Sequence, residues 1–171
     1  YFQALARAEC DLAICYWPIG RCDLDIDTSA CTYRVIGHER LIPVTGLKSD
    51  GTACALLPGS RQQPAPWLAY PKRGLLGSAV KAHLARLPQS TYLTAQSENL
   101  YAAGIKELVL LGYGMSWLPE RNVAAEIANG TLVRAGDSRW DVPMELRLYR
   151  HQSQHHAELD SLWSELTPPR S

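Results

Sequence analysis

The sequence has no excess of charge of either sign and no long apolar run. Its 171 residues carry 17 basic and 17 acidic side chains. Domains that bind duplex DNA usually have a basic excess, because neutralising phosphates supplies much of their affinity. We therefore expect no DNA binding by this segment itself. No apolar run reaches the about 18 residues that a membrane span needs, and no secretory signal opens the chain.

The cysteines do not form a pattern that predicts a metal site or a disulfide framework. Their number is odd, no CxxC pair occurs, and the histidines lie far from them in the sequence. We expect free thiols, no metal and a reduced, cytoplasmic protein. The five are Cys10, Cys15, Cys22, Cys31 and Cys54.

The sequence also lacks the short motifs of common α/β enzymes. It has no GxSxG nucleophile elbow, no P-loop and no GxGxxG after a strand. The segment Leu76-Gly-Ser-Ala-Val80 does not fit the elbow. We therefore predict that the chain is not an enzyme, with no catalytic residues and no cofactor.

Apolar spacing and turn residues predict strands that alternate with helices. Because such alternation is typical of βαβ units, we expect a parallel-rich sheet. A polar link at His38-Glu39 is expected to separate two strands. The predicted strands are 11–16, 30–37, 40–44, 67–70, 91–95, 115–118, 131–134 and 144–149, and the predicted helices are 1–9, 74–87, 97–111, 119–130 and 155–166.

Four segments, in this order, resemble the effector-binding domain of LysR-type transcriptional regulators. Asp11-Leu-Ala-Ile-Cys-Tyr16 is similar to the family's "DLAI" strand, and Arg40-Leu-Ile-Pro-Val44 to the strand that crosses between its lobes. The segment 105–119, IKELVLLGYGMSWLP, resembles the "LVxxGxGxxxLP" pattern, and 126–133 resembles "xxGxLV". Because order and spacing match over essentially the whole chain, the sequence is identified as a member of this family.

The resemblance implies an α/β fold of two Rossmann-like lobes joined by crossing strands, like a type 2 periplasmic binding protein. Lobe one is expected to be incomplete at its N-terminus, because the family's first β-α-β unit and its helix-turn-helix are missing from the sequence. The expected division is 1–45 for the remainder of lobe one, 46–140 for lobe two, and 141–171 for a crossing strand and C-terminal helix that return to lobe one.

The function that this resemblance implies is control of transcription by a small effector bound between the lobes. DNA would be contacted only through the absent helix-turn-helix, no membrane is involved, and the full-length protein is expected to be a homodimer or homotetramer. The alternative is a solute-binding protein of a transport system, which has the same architecture. An export signal and oxidised cysteines would favour that alternative.

The segment Trp117-Leu-Pro-Glu120 also resembles the hypochlorite-responsive branch of the family, which senses oxidant through methionines. This chain has only Met115 and Met144, and Tyr101 stands where a sensing methionine is expected. We therefore do not expect oxidant sensing.

The expected site follows from the general rule that ligands bind beyond the carboxyl ends of strands in open α/β sheets. Helix N-termini there offer free N–H groups to an anion, and an arginine could clamp a carboxylate. A solvated basic turn at 71–74 and helix capping by Ser97 are the alternatives. We predict a small anionic or polar organic effector at Cys15, Tyr16, Trp17, Tyr70, Lys72, Arg73, Gly74, Gln96, Ser97 and Tyr113.

Overall fold

The computed structural model describes residues 2–20, 26–154 and 156–166. Its helices are α1 Phe2–Ala6, α2 Leu75–Leu84, α3 Ala102–Leu110, α4 Glu120–Ala128 and α5 Ala157–Leu166, and a short 3-10 turn spans Ser138–Trp140. Its strands are β1 Ala13–Pro18, β2 Cys31–Thr45, β3 Ala65–Ala69, β4 Leu93–Glu98, β5 Met115–Pro119, β6 Val133–Arg134 and β7 Val142–His151.

All seven strands join in one mixed sheet with the order β1-β7-β2-β5-β3-β4, and β6 pairs with β2. Among the strands of the described residues, the parallel pairs are β3 with β4 and β3 with β5. The pairs that β1, β2 and β7 make are antiparallel. The expectation of a parallel-rich sheet is therefore wrong, because the long strands β2 and β7 run back through the sheet beside each other without a helical crossover.

Strand β2 is continuous, whereas the sequence predicted two strands. Its first part pairs with β7 as far as Leu41, and its last part pairs with β5 from Leu41 to Thr45. His38 and Glu39 stay within the strand because β7 supplies partners for both. A bulge between Val35 and Gly37 shifts the register of the pairing by one residue without ending the strand. This strand therefore connects the two halves of the sheet.

Buried charges surround the point where β2 changes partner. Asp141 is buried and accepts hydrogen bonds from Arg40, at 3.4 Å, and from Arg134. Glu39 is also buried and is paired with Arg121. Because each carboxylate keeps an arginine partner, the desolvation that accompanies burial is compensated.

The central strand β5 is buried along its whole length, because β2 and β3 flank it. Its side chains alternate between two apolar clusters, so that Trp117 packs in one and Leu118 in the other. The indole Nε1 of Trp117 donates to the carbonyl of Trp140 at 2.8 Å, and the Ser116 hydroxyl donates to the carbonyl of Leu68 at 2.7 Å. The buried polar atoms of this strand are thus satisfied.

Two predicted helix features differ from the structure. Ser97 lies within β4, and α3 begins only at Ala102, so Ser97 does not cap this helix. The Asn99 side chain instead accepts from the Tyr101 amide at 2.9 Å. In α5, Leu159 and Trp163 are buried whereas Leu162 and Leu166 are exposed, and the predicted start of this helix at residue 155 lies outside the described residues.

The predicted end of α3 is confirmed, since Gly112 follows the helix with a φ of +80°, a conformation that favours glycine. Within the described ranges, no helix combines the length and the apolar character that crossing a membrane requires.

Candidate ligand-binding site

A cavity of about 600 Å³ lies between the β1–β7 part of the sheet and the start of α2. Strand residues Ile14, Tyr16 and Leu146 form one wall, and antiparallel pairing sets Tyr16 opposite Leu146. The segment that leads into α2 forms the other wall. The complete lining is Ile14, Cys15, Tyr16, Tyr70, Pro71, Gly74, Leu75, Leu76, Gly77, Leu100, Tyr101 and Leu146.

Four of the ten predicted site residues line this cavity. They are Cys15 and Tyr16 on β1, Tyr70 after β3, and Gly74 before α2. Their role in binding stays a prediction. Cys15 and Tyr16 lie in the body of β1 and not beyond its end, because β1 extends to Pro18 and the predicted strand ended at residue 16.

The other six predicted residues lie elsewhere. Trp17 packs against Phe2 and Tyr149, with ring centroids 6.1 and 5.8 Å away, on the face of β1 opposite Tyr16. Lys72 and Arg73 are exposed on the turn before α2, Gln96 and Ser97 are exposed on β4, and Tyr113 is exposed after α3. The structure therefore does not bring these side chains into the cavity lining.

Eight lining residues were not predicted: Ile14, Pro71, Leu75, Leu76, Gly77, Leu100, Tyr101 and Leu146. Most are aliphatic, and in a sequence such residues indicate a core as readily as a pocket wall. Ile14, Pro71 and Leu75 directly flank predicted positions and could have been included on that ground. Leu146 could not have been found locally, because it reaches the cavity only through the pairing of β7 with β1.

The turn between β3 and α2 is wound tightly against the helix start. The Gly74 amide donates to the Pro71 carbonyl at 2.9 Å, and the Ser78 hydroxyl donates to the Lys72 carbonyl at 2.9 Å. A Cβ on Gly77 would lie 2.2 Å from the Pro71 oxygen, so only glycine fits there. This close approach places the first turn of α2 in the cavity wall.

Tyr70 forms the buried polar part of the lining. Its side chain is 3 % exposed, and its hydroxyl has no hydrogen-bond partner among the described residues. Burial, with a smaller contribution from the neighbouring Tyr16, holds the pKa of this phenol well above its usual range. Tyr70 is therefore a neutral group at physiological pH with a hydroxyl that is free to donate a hydrogen bond.

Cys15 is also buried in the lining. Burial raises the pKa of its thiol to about 11, although Arg147 acts in the opposite direction. The four described cysteines, Cys10, Cys15, Cys31 and Cys54, form no disulfide, and Cys22 lies outside the described residues. Among the described residues, no three side chains of the types that bind metals are grouped.

We expect Cys15 to react slowly with alkylating reagents. A pKa of about 11 against the ordinary 9.0 leaves roughly a hundredfold less of the reactive thiolate at pH 8. Iodoacetamide labelling followed over time by peptide mass spectrometry measures this rate. The less buried Cys54 is the internal control, and equal labelling rates for the two cysteines would show that Cys15 is not shielded.

The chain matches the family model described as LysR substrate binding domain over residues 1–168. Among curated proteins, it is 28% identical over 132 residues to HTH-type transcriptional regulator YjiE of Escherichia coli strain K12, a match covering 75% of this chain and 41% of that one. HTH domain-truncated transcriptional regulator QseD of Escherichia coli O157:H7 is also 28% identical, over 75% of this chain and 52% of that one. The chain spans about half the length of these relatives.

The fold is similar to that of the regulatory domain of HypT from Salmonella typhimurium, with a TM-score of 0.78 and 20% identity over 96% of this chain and 74% of that chain. This similarity confirms the predicted α/β fold of the periplasmic-binding-protein-like type. The family match likewise confirms the resemblance identified from the ordered motifs. The chain therefore belongs to the LysR substrate binding domain family, whose members are the effector-binding domains of LysR-type transcriptional regulators.

Proposed function

We propose that this domain senses a small organic molecule in the cavity between β1, β7 and α2. The observation that carries the proposal is the cavity itself: its volume of about 600 Å³ suits a small-molecule site. Its lining is mainly apolar and includes one buried hydroxyl that lacks a partner within the described residues. Such a wall with a few polar groups is typical of ligand pockets.

The two walls of the cavity come from different predicted lobes. Ile14 and Leu146 belong to segments 1–45 and 141–171, whereas Tyr70 and Leu100 belong to segment 46–140. A ligand that contacts both walls favours the arrangement in which they lie close. The ligand would thus shift the domain toward the close arrangement, by an amount set by the difference between its affinities for the two arrangements.

In the full-length regulator, we expect this change to alter DNA binding by an N-terminal helix-turn-helix. The regulator would be a cytoplasmic homodimer or homotetramer, in which a shift between lobes repositions the DNA-binding segments. This domain would act as a sensor without catalysing a reaction.

An anionic effector receives limited support. Lys72 and Arg73, on which a carboxylate clamp would depend, are exposed and lie outside the cavity lining. The N-terminal end of α2 favours negative charge there, but by a partial charge alone.

Blocking the cavity is expected to abolish ligand binding. Ile14 and Leu100 line the cavity and are 53% and 60% exposed, so the double substitution Ile14→Trp/Leu100→Trp adds bulk at the rim without disturbing a packed core. A thermal-shift screen of metabolites followed by calorimetric titration should identify molecules that bind the unaltered chain and lose at least tenfold in affinity for this variant.

The matched control is Leu47→Trp/Leu111→Trp, which adds the same side chains at exposed leucines outside the lining. It should bind like the unaltered chain. If a confirmed ligand binds the cavity variant as tightly as the control, its site lies elsewhere and the proposal is wrong.

A further inference from the structure

Two kinds of hydrogen-bond donor belong to the residues of the cavity lining, the Tyr70 hydroxyl and the first-turn amides of α2. Tyr70 directly precedes the turn that is wound against α2, and its carbonyl oxygen lies 3.2 Å from the position of a Cβ on Gly77. The first hydrogen bond within α2 runs from the Ser78 amide to the Gly74 carbonyl. The amides of Leu75, Leu76 and Gly77 precede it, and first-turn amides have no partner within their helix.

The remaining lining is apolar, and none of the lining residues has a charged side chain. Lys72 and Arg73, on the turn before α2, are exposed and lie outside the lining. The two arginines whose charge acts on the lining residues Cys15 and Tyr16 are already paired with carboxylates. Arg147 forms an ion pair with Glu145 and stacks on Trp17, with 4.9 Å between the guanidinium carbon and the ring centroid. Arg121 is paired with buried Glu39.

These two observations together restrict the charge of a ligand. A carboxylate in this cavity would lose hydration without meeting a cation, which is costly. The N-terminus of α2 offers only roughly half an elementary charge in return. A neutral oxygen acceptor, in contrast, uses the Tyr70 hydroxyl and the first-turn amides at a much smaller cost of desolvation.

We infer that the cavity takes an uncharged, largely apolar carbonyl compound, whose oxygen accepts a hydrogen bond from the Tyr70 hydroxyl. The inference rests on the proposed function, because it names the ligand class of that same cavity. Tyr70 then determines specificity, since a molecule without an acceptor leaves its buried hydroxyl unpaired.

Three probes of similar size separate the contribution of a carbonyl oxygen to binding from that of a charge. Acetophenone has a neutral carbonyl, ethylbenzene has no oxygen, and benzoate is charged. Their dissociation constants are measured on the 171-residue chain by ligand-observed NMR titration. We expect acetophenone to bind more tightly than ethylbenzene and at least tenfold more tightly than benzoate.

The variant Tyr70→Phe removes only the hydroxyl. Acetophenone should then bind roughly fivefold to tenfold more weakly, as expected for one lost hydrogen bond, and ethylbenzene should be unaffected. Tyr113→Phe is the matched control, because Tyr113 is exposed and lies outside the cavity lining.

Benzoate binding at least as tight as that of acetophenone would overturn the inferred ligand class, as would the absence of any acetophenone binding. Unchanged acetophenone affinity in Tyr70→Phe would overturn the role of Tyr70. In both cases the cavity remains the binding site if the double substitution Ile14→Trp/Leu100→Trp prevents binding of every molecule that binds the unaltered chain. Acetophenone binding that survives this double substitution would instead contradict the proposed site.

Discussion

Replacing Trp117 with alanine is expected to destabilise the domain by about 3–5 kcal/mol, as large-to-alanine changes of buried aromatics do. Trp117 is fully buried at the centre of the sheet and packs edge-on against Trp67, with ring centroids 6.1 Å apart. Its indole also satisfies the Trp140 carbonyl. The substitution therefore leaves both a cavity and an unpaired acceptor. Urea denaturation followed by circular dichroism measures the loss.

Two further variants separate these effects. Trp117→Phe keeps an aromatic ring but removes the donor, so it should cost less than the alanine change. Tyr113→Ala removes an exposed aromatic ring and should change stability by less than about 0.5 kcal/mol. A cost below about 1 kcal/mol for Trp117→Ala would contradict the central position of this side chain.

Replacing Gly77 with alanine is expected to destabilise the domain by about 1–3 kcal/mol, although alanine favours helices. The added Cβ would lie 2.2 Å from the Pro71 oxygen and 2.9 Å from the Pro71 carbonyl carbon. Because both atoms belong to the backbone, relief requires the turn to move away from α2. That movement displaces part of the cavity wall, so ligand affinity should fall together with the unfolding free energy.

The matched control is Gly37→Ala, whose Cβ would meet only the Leu146 side chain at an ordinary 3.8 Å. It should leave stability nearly unchanged. Equal unfolding free energies for Gly77→Ala and the unaltered chain would show that the turn does not need the close approach seen here.

The elements that the sequence predicted well are encoded locally. Between Ile105 and Pro119, an apolar helix face, a glycine with positive φ and a short apolar strand follow each other, and the structure has α3, Gly112 and β5 in these places. Each signal arises within a few residues. The continuity of β2 could not be predicted in this way, because the partners of His38 and Glu39 lie on β7, more than a hundred positions along the chain.

The same difference between local signals and long-range strand pairing explains which residues of the site could be predicted. Tyr70 and Gly74 were predicted because they follow a strand and precede a helix, which local sequence shows. Gln96 and Ser97 were placed at a strand end, but β4 extends to Glu98 and exposes both. Long-range pairing decides which walls face the cavity, so Leu146 had no signal of its own.

The crystal structure of this chain with the tightest-binding molecule from the ligand screen tests the central claim most directly. The account predicts that the molecule lies between β1 and the first turn of α2, in contact with Tyr16 and Leu76, with an oxygen within hydrogen-bond distance of the Tyr70 hydroxyl. A molecule bound elsewhere on the domain, with this cavity left empty, would contradict it.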